Sequence, residues 1–135
     1  MENNYIIRLA TEGDCSELSR LKHEVWDTTY RGIYPDEKID NFDYDKNKNT
    51  FIKIVNNPEI ELYVVECNGK IVGYMDYGTP HRPFGAYKMV NGCLDGNPSN
   101  DFYKHMGGKL IKKIPFIVKN YGQELVENVY YYDEI

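Results

Sequence analysis

The 135-residue chain is poor in cysteine, in positive charge and in long apolar runs, and each shortage removes a class of protein. Its three cysteines, Cys15, Cys67 and Cys93, stand far apart, with no C-x-x-C pair and an odd count. Neither a disulfide framework nor a zinc site is suggested, which points to a reducing, cytoplasmic setting. His23, His81 and His105 are equally isolated from acidic or cysteine clusters, so no bound metal is expected. No apolar stretch approaches the ~20 residues that cross a bilayer, and Met1-Glu2-Asn3-Asn4 lacks the basic start of a secretion signal. Neither a membrane span nor export is therefore expected. A formal charge of −5, with Lys and Arg scattered, argues against nucleic acid as a partner. It is compatible with a cationic acceptor such as an amine, but a plain soluble surface is the simpler account of it. No Gly-x-Ser-x-Gly elbow, Walker loop or paired helical histidines occur.

What the chain has in quantity is tyrosine, 13 in all, including the closing run Tyr130-Tyr131-Tyr132, which suits a pleated surface. The length fits one domain with one sizeable core. Tyr5 to Leu9 reads as a strand, and Thr11 with Asp14 three positions on reads as a helix cap. Cys15, Leu18, Leu21, Val25 and Trp26 then recur at three- and four-residue steps, which predicts an amphipathic helix from Asp14 to about Trp26. Gly32 and Pro35 make the next stretch an irregular loop, followed by a helical turn at Asp36 to Phe42 and a helix from about Tyr44 to Asn56 that Pro58 stops. Glu59 to Glu66 and Lys70 to Tyr77 flank Asn68-Gly69, the strongest short hairpin signal. Gly78 to Tyr87 reads as a loop and Lys88 to Leu94 as a strand. The last pair of strands, Lys109 to Lys119 and Glu124 to Asp133, turns at Asn120-Tyr121-Gly122, with Pro115 marking a bulge or an edge. The expected class is α+β.

The segment from Asn97 to Gly108 carries the most information. Asn97 or Ser99 can cap a short helix, Pro98 suits its first turn, and Gly107 or Gly108 can end it in a left-handed conformation. Its order, Asn-x-x-x-x-Phe-Tyr-x-x-x-Gly-Gly, resembles the last conserved helix of the GNAT superfamily of N-acetyltransferases. Ile7-Arg8-x-Ala10-x-x-x-Asp14 resembles that family's opening strand and cap. Trp26-x-x-Thr29-Tyr30-Arg31-Gly32-Ile33-Tyr34-Pro35-Asp36 resembles the loop that shapes the acceptor pocket in one branch. The resemblance spans nearly the whole chain and implies a mixed GNAT-like sheet with helices. It also implies acetyl transfer from acetyl-CoA to a small amine. By the same resemblance Tyr103 is the acid that protonates the departing thiolate, Asn97 bonds the pantetheine arm of the cofactor, and Trp26, Tyr30 and Tyr34 line the acceptor pocket. Each has a plain structural reading beside it: Tyr103 as an amphipathic helix residue, Asn97 as a cap, Trp26 as core. A strand glutamate, Glu61 or Glu66, could act as base or simply face water.

One element of the family pattern is missing. A Gln/Arg-x-x-Gly-x-Gly/Ala loop, whose backbone N–H groups hold the cofactor's pyrophosphate at a helix start, occurs nowhere in the sequence. Only ten residues separate the hairpin from the next strand, too few for a strand-helix crossover of roughly 30 residues. The single domain, residues 1–135, therefore reads as internally shortened, with an N-terminal segment over residues 1–78, a C-terminal segment over residues 88–135 and a junction at 79–87. Three expectations follow. The sheet is largely antiparallel and heals by direct pairing of 70–77 with 88–94, within a chain or by exchange. Acetyl-CoA binding is weak or lost, and a non-catalytic remnant that binds a partner or itself is the alternative to an enzyme. An apolar sheet face is uncovered, which a homodimer, including a strand-exchanged one, would cover.

Overall fold

A computed structural model of the chain describes residues 2–78 and 89–133; the junction expected at 79–87 lies outside them. Among the described residues six strands and four α-helices follow one another: β1 (Tyr5–Leu9), α1 (Cys15–Val25), α2 (Asp36–Asp40), α3 (Tyr44–Val55), β2 (Ile60–Cys67), β3 (Lys70–Gly78), β4 (Val90–Leu94), α4 (Ser99–His105), β5 (Lys109–Ile117) and β6 (Glu124–Tyr131). They form two compact units, Met1–Thr28 with Asn41–His81 and Thr29–Asp40 with Arg82–Ile135. The class is α+β, with every strand pair antiparallel, and most elements begin and end within one or two residues of where composition puts them.

The first unit is a three-stranded sheet ordered β1-β2-β3 with α1 and α3 on one face. Alternation along β2 sends Leu62 and Val64 to that face, where they are buried with Ile71, Phe51, Leu18 and Cys15. Each such side chain contributes about 1.5–3 kcal/mol of transfer free energy. Asn68 and Gly69 both take positive φ, 53° and 82°, the conformation a tight primed hairpin demands. The turn into α1 closes through Asp14, whose carboxylate accepts the Thr11 N–H at 2.8 Å and the Thr11 hydroxyl at 3.1 Å. Arg8 bridges the sheet to this cap, its guanidinium 2.7 Å from both Asp14 and Glu66. Those bonds, Arg8 first, lower the Asp14 pKa to about 2.

The second unit is a sheet ordered β4-β6-β5, with α4 joining β4 to β5. Pro115 lies in the edge strand β5, while the register shift falls at Leu110/Lys112. Thr29–Asp40 belongs to this unit although it precedes α3 in the chain.

Among the described residues the expected ladder between 70–77 and 88–94 is not formed: β3 and β4 are edge strands of separate sheets. A ten-residue link permits an antiparallel ladder without compelling one. A second difference is the end of α1. The sequence predicts a helix that breaks into an irregular loop, yet Trp26–Tyr30 forms a single π-type turn, a wider coil that continues α1.

Candidate functional site

Tyr103 sits on α4, whose geometry follows from its flanks. The Asn97 carboxamide oxygen accepts the Ser99 N–H at 2.9 Å and starts the helix. Gly107, at φ 94°, ends it. Gly108 is required for a different reason: a Cβ there would lie 2.7 Å from the Tyr103 carbonyl oxygen and 3.1 Å from the Tyr132 ring. The Gly-Gly pair is thus explained by the close return of β5 beneath α4.

Beneath α4 lies one face of the sheet, with Asn128 opposite Cys93 and Tyr130 opposite Asn91 in the β4–β6 register. Asn100, on α4, ties helix to sheet. Its amide donates to the Leu94 and Asn97 carbonyls at 2.8 Å each, and its oxygen accepts Tyr130 Oη–H at 2.7 Å and the Asn128 amide at 3.1 Å. Asn128 also donates to Asp95 at 3.1 Å, and that bond comes first among the causes that lower the Asp95 pKa. Tyr132 donates to Asn91 Oδ1 at 2.7 Å.

The half-buried Tyr103 ring lies 6.2 Å from that of Tyr130. Its hydroxyl has no hydrogen-bond partner among the described residues, in contrast to the bonded hydroxyls of Tyr30, Tyr130 and Tyr132. Burial, and then the neighbouring Cys93, raises its pKa, so the proton stays on oxygen at neutral pH. Burial raises the Cys93 thiol as well, which keeps it a packed thiol and not a thiolate nucleophile.

Of the five residues that the resemblance assigns to the site, four share this unit. Asn97, 6% exposed, donates to Tyr30 Oη at 3.4 Å, and the Tyr30 and Tyr34 rings lie tilted by 41° with centroids 5.1 Å apart. Burial raises the pKa of both tyrosines, and Tyr103 adds to the effect at Tyr30. Trp26 belongs to the first unit, edge-on to Phe42 at 5.2 Å with Lys22 Nζ 5.4 Å over its ring. Sequence reasoning misses the polar cluster of Asn100, Asn128 and Tyr130. Asn in the middle of a strand, as at Asn91 and Asn128, is the available signal, because strands are depleted in it.

No family model and no curated protein matches the sequence. Solved structures do. The PaiA N-acetyltransferase of Thermoplasma acidophilum, in complex with coenzyme A, superposes with TM-score 0.66 at 16% identity, over 96% of this chain and 99% of that one. A ribosomal-protein-alanine N-acetyltransferase from Brucella melitensis gives 0.67 at 19% identity, over 93% and 98%. A GNAT-family acetyltransferase from Streptococcus pneumoniae gives 0.61 at 11%, over 96% and 99%. The fold is the GNAT fold. The glycine-rich phosphate-binding pattern remains absent from the sequence.

Proposed function

We propose that this chain is an acetyl-CoA-dependent N-acetyltransferase acting on a small amine, with Tyr103 as acid and with a weakened hold on the cofactor. One observation carries the reading: Tyr103 presents a protonated, half-buried hydroxyl with no protein partner among the described residues, beside Tyr130 and Cys93. Acetyl-CoA, when bound, supplies the acetyl group as a thioester. At the thiol end the residues suit it, because Tyr103 Oη can donate a proton to a sulfur leaving group within hydrogen-bond reach. The diphosphate end does not suit it: the sequence offers no glycine loop to aim N–H groups at a phosphate. Asn97 adds little to the grip, since its oxygen is held by Ser99 and its amide faces Tyr30. Tyr30 and Tyr34 form the aromatic wall for the acceptor.

Titration calorimetry with acetyl-CoA tests this. Binding with Kd near roughly 1 mM is expected, worth about 4 kcal/mol. Tyr103→Phe should preserve that heat and lower acetylation of an amine panel by about 10²- to 10⁴-fold. No heat at millimolar acetyl-CoA, together with no acetylation, overturns the enzyme reading. A second reading, a non-catalytic module that binds itself or a partner, is favoured by the missing phosphate loop alone.

A further inference from the structure

Among the described residues, one face of the first unit's sheet carries a band of exposed apolar side chains. Register places Tyr5, Ile7 and Leu9 of β1, Tyr63 of β2, and Met75 and Tyr77 of β3 on the side opposite the buried Leu62 and Val64. Tyr5 is 60% exposed, Ile7 72%, Leu9 53%, Met75 61% and Tyr77 58%. With side chains of about 150–250 Å², these five alone expose roughly 600 Å², at the upper limit of what a monomer leaves bare. Two such faces brought together bury about 1,200 Å² or more, the range of a specific protein–protein interface.

The charges on this face identify its occupant. Lys70, opposite Cys67, marks one end, and Glu61, opposite Tyr77, marks the other. They lie six residues apart along β2, or about 20 Å, with apolar side chains between them. Lys70 has no ion-pair partner among the described residues, and Glu61 only accepts the Tyr63 hydroxyl at 2.7 Å. A two-fold axis in the plane of the face and perpendicular to the strands reverses strand direction. It sets Lys70 over a second copy's Glu61 and Glu61 over that copy's Lys70, with the apolar band pressed between. The face is complementary to itself, and in charge only in this antiparallel sense.

We propose that this face is the interface of a homodimer, two copies packed sheet to sheet with reversed strands about 10 Å apart. The inference is independent of whether the chain is catalytic.

Sedimentation equilibrium of the full chain tests it. At roughly 200 µM, above the micromolar Kd that an interface of this size supports, the mass should be twice 15.8 kDa. Ile7→Glu and Met75→Glu should each weaken association about tenfold or more with the circular dichroism unchanged. Lys70→Glu should weaken it several-fold, and Lys70→Glu with Glu61→Lys should restore it. Should Ile7→Glu fail to fold, the charge pair still decides, since both positions are exposed. A monomer at this concentration overturns the proposal. So does a dimer indifferent to Ile7→Glu and Met75→Glu, or a charge exchange that restores nothing.

Discussion

The two units hold themselves together by opposite means. In the first, β2 and β3 meet α1 and α3 through a dry core of Leu18, Phe51, Leu62, Val64, Ile71 and Cys15. In the second, the contact between α4 and its sheet is made largely of carboxamides and phenols, with Asn97, Asn128 and Tyr130 all at least 94% buried. An apolar core is non-directional and tolerates small shifts. A hydrogen-bonded one fixes angles, and it costs more when half-satisfied, as at Asn91, whose buried amide nitrogen has no partner among the described residues. The candidate acid sits on the hydrogen-bonded side, where orientation matters to chemistry.

The comparison is broken most strongly by truncating the dry core. Phe51 is 4% exposed and meets Tyr74 edge-on at 5.3 Å, so Phe51→Ala should cost about 3–5 kcal/mol through lost transfer energy and the cavity left behind. Trp26, the single tryptophan and a member of the same unit, reads the loss as a fall in the urea midpoint followed by fluorescence. An unchanged midpoint would mean that this cluster is not the unit's core. The matching test in the second unit is Asn128→Ala, which removes both amide bonds to Asp95 and Asn100 and leaves Lys113 without its 2.9 Å acceptor. A loss of about 2 kcal/mol is expected, read by faster amide exchange in β4 and β6. A neutral result would show that water replaces the carboxamide there and that the network does not order α4.

The contrast also decides what could be read in advance. Apolar period and Asn68-Gly69 are local signals, and they locate α1, α3 and the β2–β3 hairpin to within a residue or two. Buried polar contacts have no period, so Asn100, Asn128 and Tyr130 give no warning beyond an unusual Asn in a strand. The π-type turn at Trp26–Tyr30 is hidden because the helical apolar spacing runs straight into Trp26. The membership of Thr29–Asp40 in the second unit rests on partners far along the chain, such as the Gln123 amide donating to the Ile33 carbonyl at 2.9 Å. At the site, Tyr103 and Asn97 are found by resemblance; no spacing rule alone would choose one tyrosine among 13.

A smaller effect comes from pH and belongs to the first unit. The Asp14 pKa is lowered to about 2, chiefly by Arg8, from an ordinary value near 3.8. A carboxylate depressed in the folded state stabilises above its unfolded pKa, and that stability is lost as pH falls from about 4 towards 2. Because Arg8 is about a third exposed, screening reduces the contribution to roughly 1 kcal/mol. Urea midpoints at pH 6 and pH 2.5 should therefore draw closer in Asp14→Asn than in the parent chain. Equal gaps in both would show that the bridge is open in solution.

An effect of similar size sharpens the comparison at the helix end itself. Gly107 holds φ 94° with open space around the position of a Cβ, so Gly107→Ala meets only backbone strain, about 1 kcal/mol. The helix stop would remain, because the Gly108 N–H still reaches the Tyr103 carbonyl at 2.9 Å. If α4 is anchored by Asn100 as the bond lengths imply, amide exchange at Tyr103 and Lys104 stays slow while Gly107 itself opens faster. A loss of protection that spreads back to Phe102 would mean that the glycine end, and not the carboxamide network, holds the helix on its sheet.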